Sequence, residues 1–180
     1  CEPGYMEVTA GTATTDRECG LPFKWVDEFG NLGQREVYNR DQITAMGIAD
    51  DGSIFVGGWT DEPFPDLTPQ GSFVRKYSAS GLVQWTTIIA DTYGYGVNSI
   101  AVTPEHNIIV AGSAEGRIEN GIDCRGHDGV LRIFDSDGNL GDVRILRTND
   151  STTEHTGVNA IATAVEGVVY VTGGTNGQFS

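Results

Sequence analysis

Basic residues are scarce. The chain of 180 residues sets 11 Lys and Arg against 25 Asp and Glu, a formal net charge of −14. Nucleic acids and anionic lipid surfaces are held by clustered Lys and Arg. No such cluster occurs, so neither partner is expected. No apolar run approaches the ~18 residues of a membrane-crossing helix, so no span is expected. The sequence opens on Cys1 with no Met and no apolar leader, and either a mature fragment or a piece cut from a longer chain is expected. Histidine is limited to His106, His127 and His155, without H-x-x-x-H or H-x-H spacing. Cys124 and His127 form C-x-x-H, but no second half completes a zinc site. The three histidines are expected in turns and loops, in water. No G-x-S-x-G, phosphate loop or paired-carboxylate pattern is present. No catalytic, cofactor or metal residue is therefore assigned, and the chain is not expected to be an enzyme.

What is present is a repeat. Hydrophobic content of 38% and 25 glycines suit a turn-rich globular protein. Three segments align without gaps: "ITAMGIADDGSIFVGGWT" (43–60), "VNSIAVTPEHNIIVAGSA" (97–114) and "VNAIATAVEGVVYVTGGT" (158–175). Each reads as a short strand, a polar turn, and a second apolar strand ending on Gly58, Gly112 or Gly173. The second strands are nearly continuous apolar runs, as in strands buried on both faces. A second element lies between them. "GSFVRKYSASGLVQWTTII" (71–89) aligns with "DGVLRIFDSDGNLGDVRIL" (128–146), and "FKWVDEFGNLGQREVY" (23–38) is an earlier copy, with Gly30, Gly81 and Gly138 in register. The unit is four short antiparallel strands in about 50 to 60 residues, the period of a β-propeller blade. The expected fold is all-β: a partial propeller of about three four-stranded antiparallel blades, with glycines near the strand ends admitting a neighbouring blade. The expected boundaries are a half blade at 21–40, blades at 41–92 and 93–150, and a half blade at 151–180.

"DSDGNLGD" (135–142) tests the alternative of a calcium loop. An EF-hand places Gly sixth and a bidentate Glu twelfth; those positions hold Leu140 and Leu146. The matching stretches "DEFGNLGQ" and "SASGLVQW" lose the oxygens and keep the glycine. A turn is expected, with the glycine as its informative residue and the acidic groups as surface decoration.

The first 19 residues, "CEPGYMEVTAGTATTDREC", have little that could form a core. A Cys1–Cys19 disulfide would close a loop of about 19 residues, worth roughly 3 kcal/mol by chain entropy, and implies an oxidising compartment. Cys124 is left over, either a small buried thiol or an intermolecular thiol. Asn149 begins the N-D-S glycosylation acceptor. Trp25 and Trp85 sit in strand patterns and are expected to pack. Trp59 ends a strand beside "TDEPFPD" and is the candidate recognition residue. The insertions 61–70 and 113–126 are expected to be loops on one face, where a ligand or neighbour would bind.

Two resemblances follow. Cys1, Gly4, Tyr5, Thr15, Asp16 and Cys19 resemble the last loop of a tumour-necrosis-factor-receptor or ephrin-receptor-like cysteine-rich module, which assigns 1–20 to the end of such a module. Gly52, Phe55, Val56, Gly58, Thr60, Lys76, Tyr77, Gly81 and Trp85, with their later counterparts, resemble the blade repeats of long secreted bacterial and protist propeller proteins. His106-Asn107 and Asp142 depart from that pattern. The module combination is similar to protist surface proteins such as heterokont flagellar hairs (mastigonemes). It implies a non-catalytic extracellular structural or adhesive glycoprotein, contacting other protein subunits, glycans or copies of itself, at the cell surface. The alternatives are a propeller glycoside hydrolase or lyase, and a calcium-stabilised lectin.

Overall fold

A computed structural model describes residues 6–9, 18–20, 42–60, 71–89, 93–118, 121–147, 155–164 and 166–177. Cys1, the Cys19 side chain, Trp25, Asn149, the half blade expected at 21–40 and the insertion 61–70 lie outside the described residues. The described structure is antiparallel β-sheet without helix.

The described residues form twelve strands, in chain order: β1 (Met6–Thr9), β2 (Glu18–Gly20), β3 (Gln42–Ile48), β4 (Ile54–Thr60), β5 (Gly71–Tyr77), β6 (Val83–Ile89), β7 (Tyr93–Val102), β8 (Ile108–Arg117), β9 (Asp123–Phe134), β10 (Leu140–Leu146), β11 (Thr156–Thr163) and β12 (Val169–Thr175). β1 and β2 pair as a ribbon. β3–β6 and β7–β10 each form a four-stranded sheet with strands in sequence order, and β11–β12 form a two-stranded one. The sheets stack in the same order. β7 lies against β3, β4 and β5, and β11 against β7, β8 and β9.

One turn closes the five repeat hairpins among the described residues. Ala49 N donates to Ser53 O and Gly52 N to Ala49 O, both at 2.9 Å, and the same pair of bonds recurs at 78–82, 103–107, 135–139 and 164–168. This is a three-residue loop whose last residue must take positive φ. Gly52, Gly81, Gly138 and Gly167 do so at 74° to 87°; at the equivalent place in the second sheet stands His106, at φ 63°.

The first strand of each of the three stacked sheets carries the same bulge. Pairing with the second strand skips Thr44, Asn98 and Asn159 in turn. At each bulge the preceding carbonyl presses on the glycine that ends the apolar run. A Cβ at Gly58, Gly112 or Gly173 would overlap the carbonyl oxygen of Gln42, Gly96 or Gly157. These glycines therefore accommodate their own sheet's bulge. Others admit the neighbouring sheet: a Cβ on Gly57 would lie 2.8 Å from Val97 Cγ1, and one on Gly47 2.9 Å from Ile100 Cγ2.

Between the first two sheets lies the main core, with Phe55, Val74, Val97, Ile100, Val110 and Phe134 all buried. Each such side chain withdrawn from water contributes about 1.5–3 kcal/mol. A smaller core of Ala114, Ile118, Cys124 and Val130 forms where β8 and β9 extend past the repeat. The expected loop at 113–126 is accordingly a hairpin arm. β8 runs to Arg117, β9 starts at Asp123, and Ile118 N donates to Ile122 O at 2.9 Å. Its apolar residues, Ile118, Ile122 and Cys124, are what let the strands continue.

Candidate functional site

The hairpin turns bring their first-strand ends together. At that end of the stack lies a cleft of about 190 Å³ between the turns of three successive sheets. Ala49, Thr103 and Ala164, the equivalent first residues of those turns, all line it, together with Asp50, Pro104 and His106. Asp50 and His106 are exposed at its rim. Asp51 is next to Asp50, but its carboxylate is spent on the turn. It accepts from Ser53 N at 2.8 Å, and that hydrogen bond holds its pKa below the ordinary carboxylate range, with His106 and Lys76 acting in the same sense. The cleft thus offers one carboxylate and one imidazole to a small polar ligand, while the buried Thr103 hydroxyl accepts from Asn107 N at 3.2 Å. It lies at the opposite end of β4 from Trp59.

Trp59 is half-buried near the end of β4, paired with Gln42 and Ser72. Cys124 lies on a different sheet, in the β8–β9 arm, and is 2% exposed. It is a thiol packed among Ala114, Ile118 and Val130. A bond to another chain would require the arm to open. His127 was expected in a loop and lies instead on β9; the arm extends the strand through it. The structure brings it against His155, ring centroids 4.5 Å apart, and leaves His106 at the cleft. Among the described residues no group of three or more His, Cys, Asp or Glu is placed to hold a metal ion.

The 135–139 turn does more than close a hairpin. Asp135 accepts from Asn139 Nδ2 at 2.9 Å, from Asn139 N at 2.8 Å and from Asp137 N at 3.0 Å. These bonds, that to the Asn139 side chain foremost, lower its pKa. Its carboxylate organises the turn, correcting the expectation of surface decoration. The turn then docks on the preceding sheet. Trp85 Nε1 and Lys76 Nζ both donate to Ser136 O, at 3.0 and 3.1 Å, and Thr87 Oγ1 donates to Gly138 O at 3.0 Å. The Trp85 indole covers Gly138, where a Cβ would stand 2.7 Å from the ring. The Phe55 and Trp85 ring centroids lie 6.0 Å apart, and Lys76 Nζ stands over the Phe55 ring, 5.6 Å from its centroid.

A second inter-sheet device repeats. Thr44 Oγ1 donates to Val97 O, and Asn98 Nδ2 donates to Val158 O at 2.8 Å. Donor and acceptor occupy equivalent positions each time: the bulged residue reaches the carbonyl before the bulge in the following sheet. Sequence reasoning missed both devices. The signal was a polar residue at the same repeat position in all three copies, Thr44, Asn98 and Asn159.

No protein-family model matches the chain, and no curated protein matches it either.

Proposed function

We propose that the chain is a non-catalytic extracellular scaffold, a run of β-propeller blades following the end of a cysteine-rich module, that holds glycans or other protein subunits in a surface filament or adhesive coat of the flagellar-hair kind. The propeller reading is supported by the order of the parts. Four-stranded antiparallel sheets follow one another along the chain, stacked face to face, with first strand near first strand. The scaffold reading rests on one observation above all. The polar positions that recur between copies are used for architecture: Thr44 and Asn98 bind one sheet to the next. What differs between copies is at the ends of the strands, the cleft with Asp50 and His106 at one end and Trp59 at the other. Variation at the ends of an invariant stack is how loops on a scaffold acquire partners.

The test is a glycan-array and polysaccharide-binding assay on the secreted chain, with release of reducing ends followed in parallel. Binding without turnover, weakened by Asp50→Ala with His106→Ala or by Trp59→Ala, is the expected result. Release of reducing ends that Asp50→Ala abolishes would replace the scaffold with a glycoside hydrolase.

A further inference from the structure

The cleft at the turn end of the stack has fixed walls. Thr163 Oγ1 donates to Val102 O at 2.9 Å, and Ile161 N donates to Ser99 Oγ at 3.1 Å, so the third sheet is pinned to the second beside the opening. Val102 and Thr163 both line it. A preformed pocket has little ordering left to do when a ligand enters. Its volume of about 190 Å³ falls below the ~300 Å³ at which drug-sized pockets begin, and suits a single small ring.

The polar side chains it presents are biased towards accepting hydrogen bonds. Asp50 brings an exposed carboxylate. Thr163 commits its hydroxyl proton to Val102 O, which leaves its oxygen as an acceptor. Pro104 carries no N–H. No Lys or Arg lines the cleft among the described residues. Glu105 adds negative charge beside it, leaning over the third turn with its carboxylate oxygens 3.7 and 3.8 Å from where a Cβ on Gly167 would stand.

His106 is held there against the preference of the backbone. The other four hairpins put glycine at this turn position, and among the described residues His106 alone carries a side chain at positive φ. Backbone strain of this kind clusters at ligand sites. What it delivers here is an imidazole at the cleft, and a neutral imidazole has one nitrogen that accepts.

We infer that the cleft between the three turns binds an amino sugar whose amine is not acylated. The ammonium pairs with Asp50, with Glu105 adding to the field, and ring hydroxyls donate to Thr163 Oγ1 and His106. Val102, Pro104 and Ala164 take the apolar face of the ring. A neutral or N-acetylated sugar lacks the charge, and an anionic sugar is repelled. The inference rests on the glycan-holding scaffold proposed above and names the class of glycan.

Titration of the isotope-labelled 180-residue chain with glucosamine, followed by amide chemical shifts, tests it. N-acetylglucosamine, glucose and cyclohexylamine are the comparison ligands. The expected result is saturable shifts at Asp50, His106 and Ala164. N-acetylglucosamine and glucose should bind about fivefold or more weakly, the size of one exposed ion pair. Cyclohexylamine, with the ammonium and no hydroxyls, should also bind more weakly than glucosamine. Asp50→Asn should abolish the preference for glucosamine over its N-acetyl form. His106→Gly should weaken glucosamine binding and raise the thermal unfolding midpoint, opposite signs that a purely structural residue would not give. Absent shifts at these amides, N-acetylglucosamine or cyclohexylamine bound as tightly as glucosamine, a preference that survives Asp50→Asn, or His106→Gly binding as tightly as the parent would each overturn the inference. Those outcomes leave the scaffold proposal standing, since it falls on release of reducing ends and not on which sugar is held.

Discussion

The contact between the first and second sheets and that between the second and third are made from the same parts and differ in width. Both have an inner bond from the bulged residue, Thr44 to Val97 and Asn98 to Val158. Both have an aliphatic side chain over a glycine, Val97 on Gly57 and Val158 on Gly129. Only the first continues outward, through Val74 and Phe134 to the Trp85 corner on the 135–139 turn. In the second, β12 has no third strand beside it among the described residues, and Val171 remains 38% exposed above a groove lined by Leu146. The inner strands are therefore enough to set the stacking. The outer strands add Val74, Ile89 and Phe134 to the buried core.

The largest expected effect separates the two contacts by burial. Phe134→Ala, at 1% exposure, should cost about 3–5 kcal/mol in urea unfolding. Val171→Ala should stay within roughly 0.5–1 kcal/mol, as half-exposed positions do. Equal losses would mean that the second contact is as closely packed as the first.

Next comes the bulge that both contacts share. Gly112→Ala drives a Cβ into the Gly96 carbonyl, while a Cβ at Gly174 meets nothing within 4 Å. Gly112→Ala should cost about 1–3 kcal/mol as an overpacking change, and Gly174→Ala should be close to neutral by the same measurement.

A smaller effect has the opposite sign. His106 holds positive φ where the other turns have glycine. Left-handed backbone costs a side-chain-bearing residue about 1–2 kcal/mol, and glycine's extra unfolded freedom returns about 0.5–1 kcal/mol of that. His106→Gly should stabilise the chain by roughly 0.5–1 kcal/mol, seen as a raised unfolding midpoint.

The smallest concerns the docked corner. The folded pKa of Asp135 is depressed by Asn139 and the turn amides. A depressed carboxylate stabilises the fold above its unfolded pKa and loses that contribution as pH falls through the folded one. The unfolding midpoint of the parent chain should exceed that of Asp135→Ala at neutral pH. The gap should narrow between about pH 5 and about pH 2. A gap independent of pH would assign the effect to packing.

Much of this was legible in the sequence because it is local or periodic. Gapless alignment of 43–60, 97–114 and 158–175 puts hairpins where β3–β4, β7–β8 and β11–β12 form, and Gly52, Gly138 and Gly167 mark turns whose geometry demands them. The bulges were not legible. Gly58, Gly112 and Gly173 read as strand ends, and only the register shows that each faces a carbonyl from its own sheet. The arm at 113–126 was missed because its charged and glycine residues hide a three-residue apolar patch that becomes a core only when β8 and β9 pair. The cleft was hidden for another reason. Asp50 and His106 are more than fifty residues apart in sequence, and only stacking of the sheets brings them together. Trp85 read correctly as a packing residue, but its partner, the turn at 135–139, belongs to the next sheet.

The central claim is that successive copies stack face to face through one repeated contact. Methyl and aromatic nuclear Overhauser contacts measure it directly. The expected pattern is strong cross-peaks from the Val97 and Ile100 methyls to the Gly57 and Gly47 α-protons. The Val158 methyls should show the same to Gly129, and the Trp85 ring to Gly138. Cross-peaks confined within each sheet, with none linking Val97 to Gly57 or Val158 to Gly129, would contradict it.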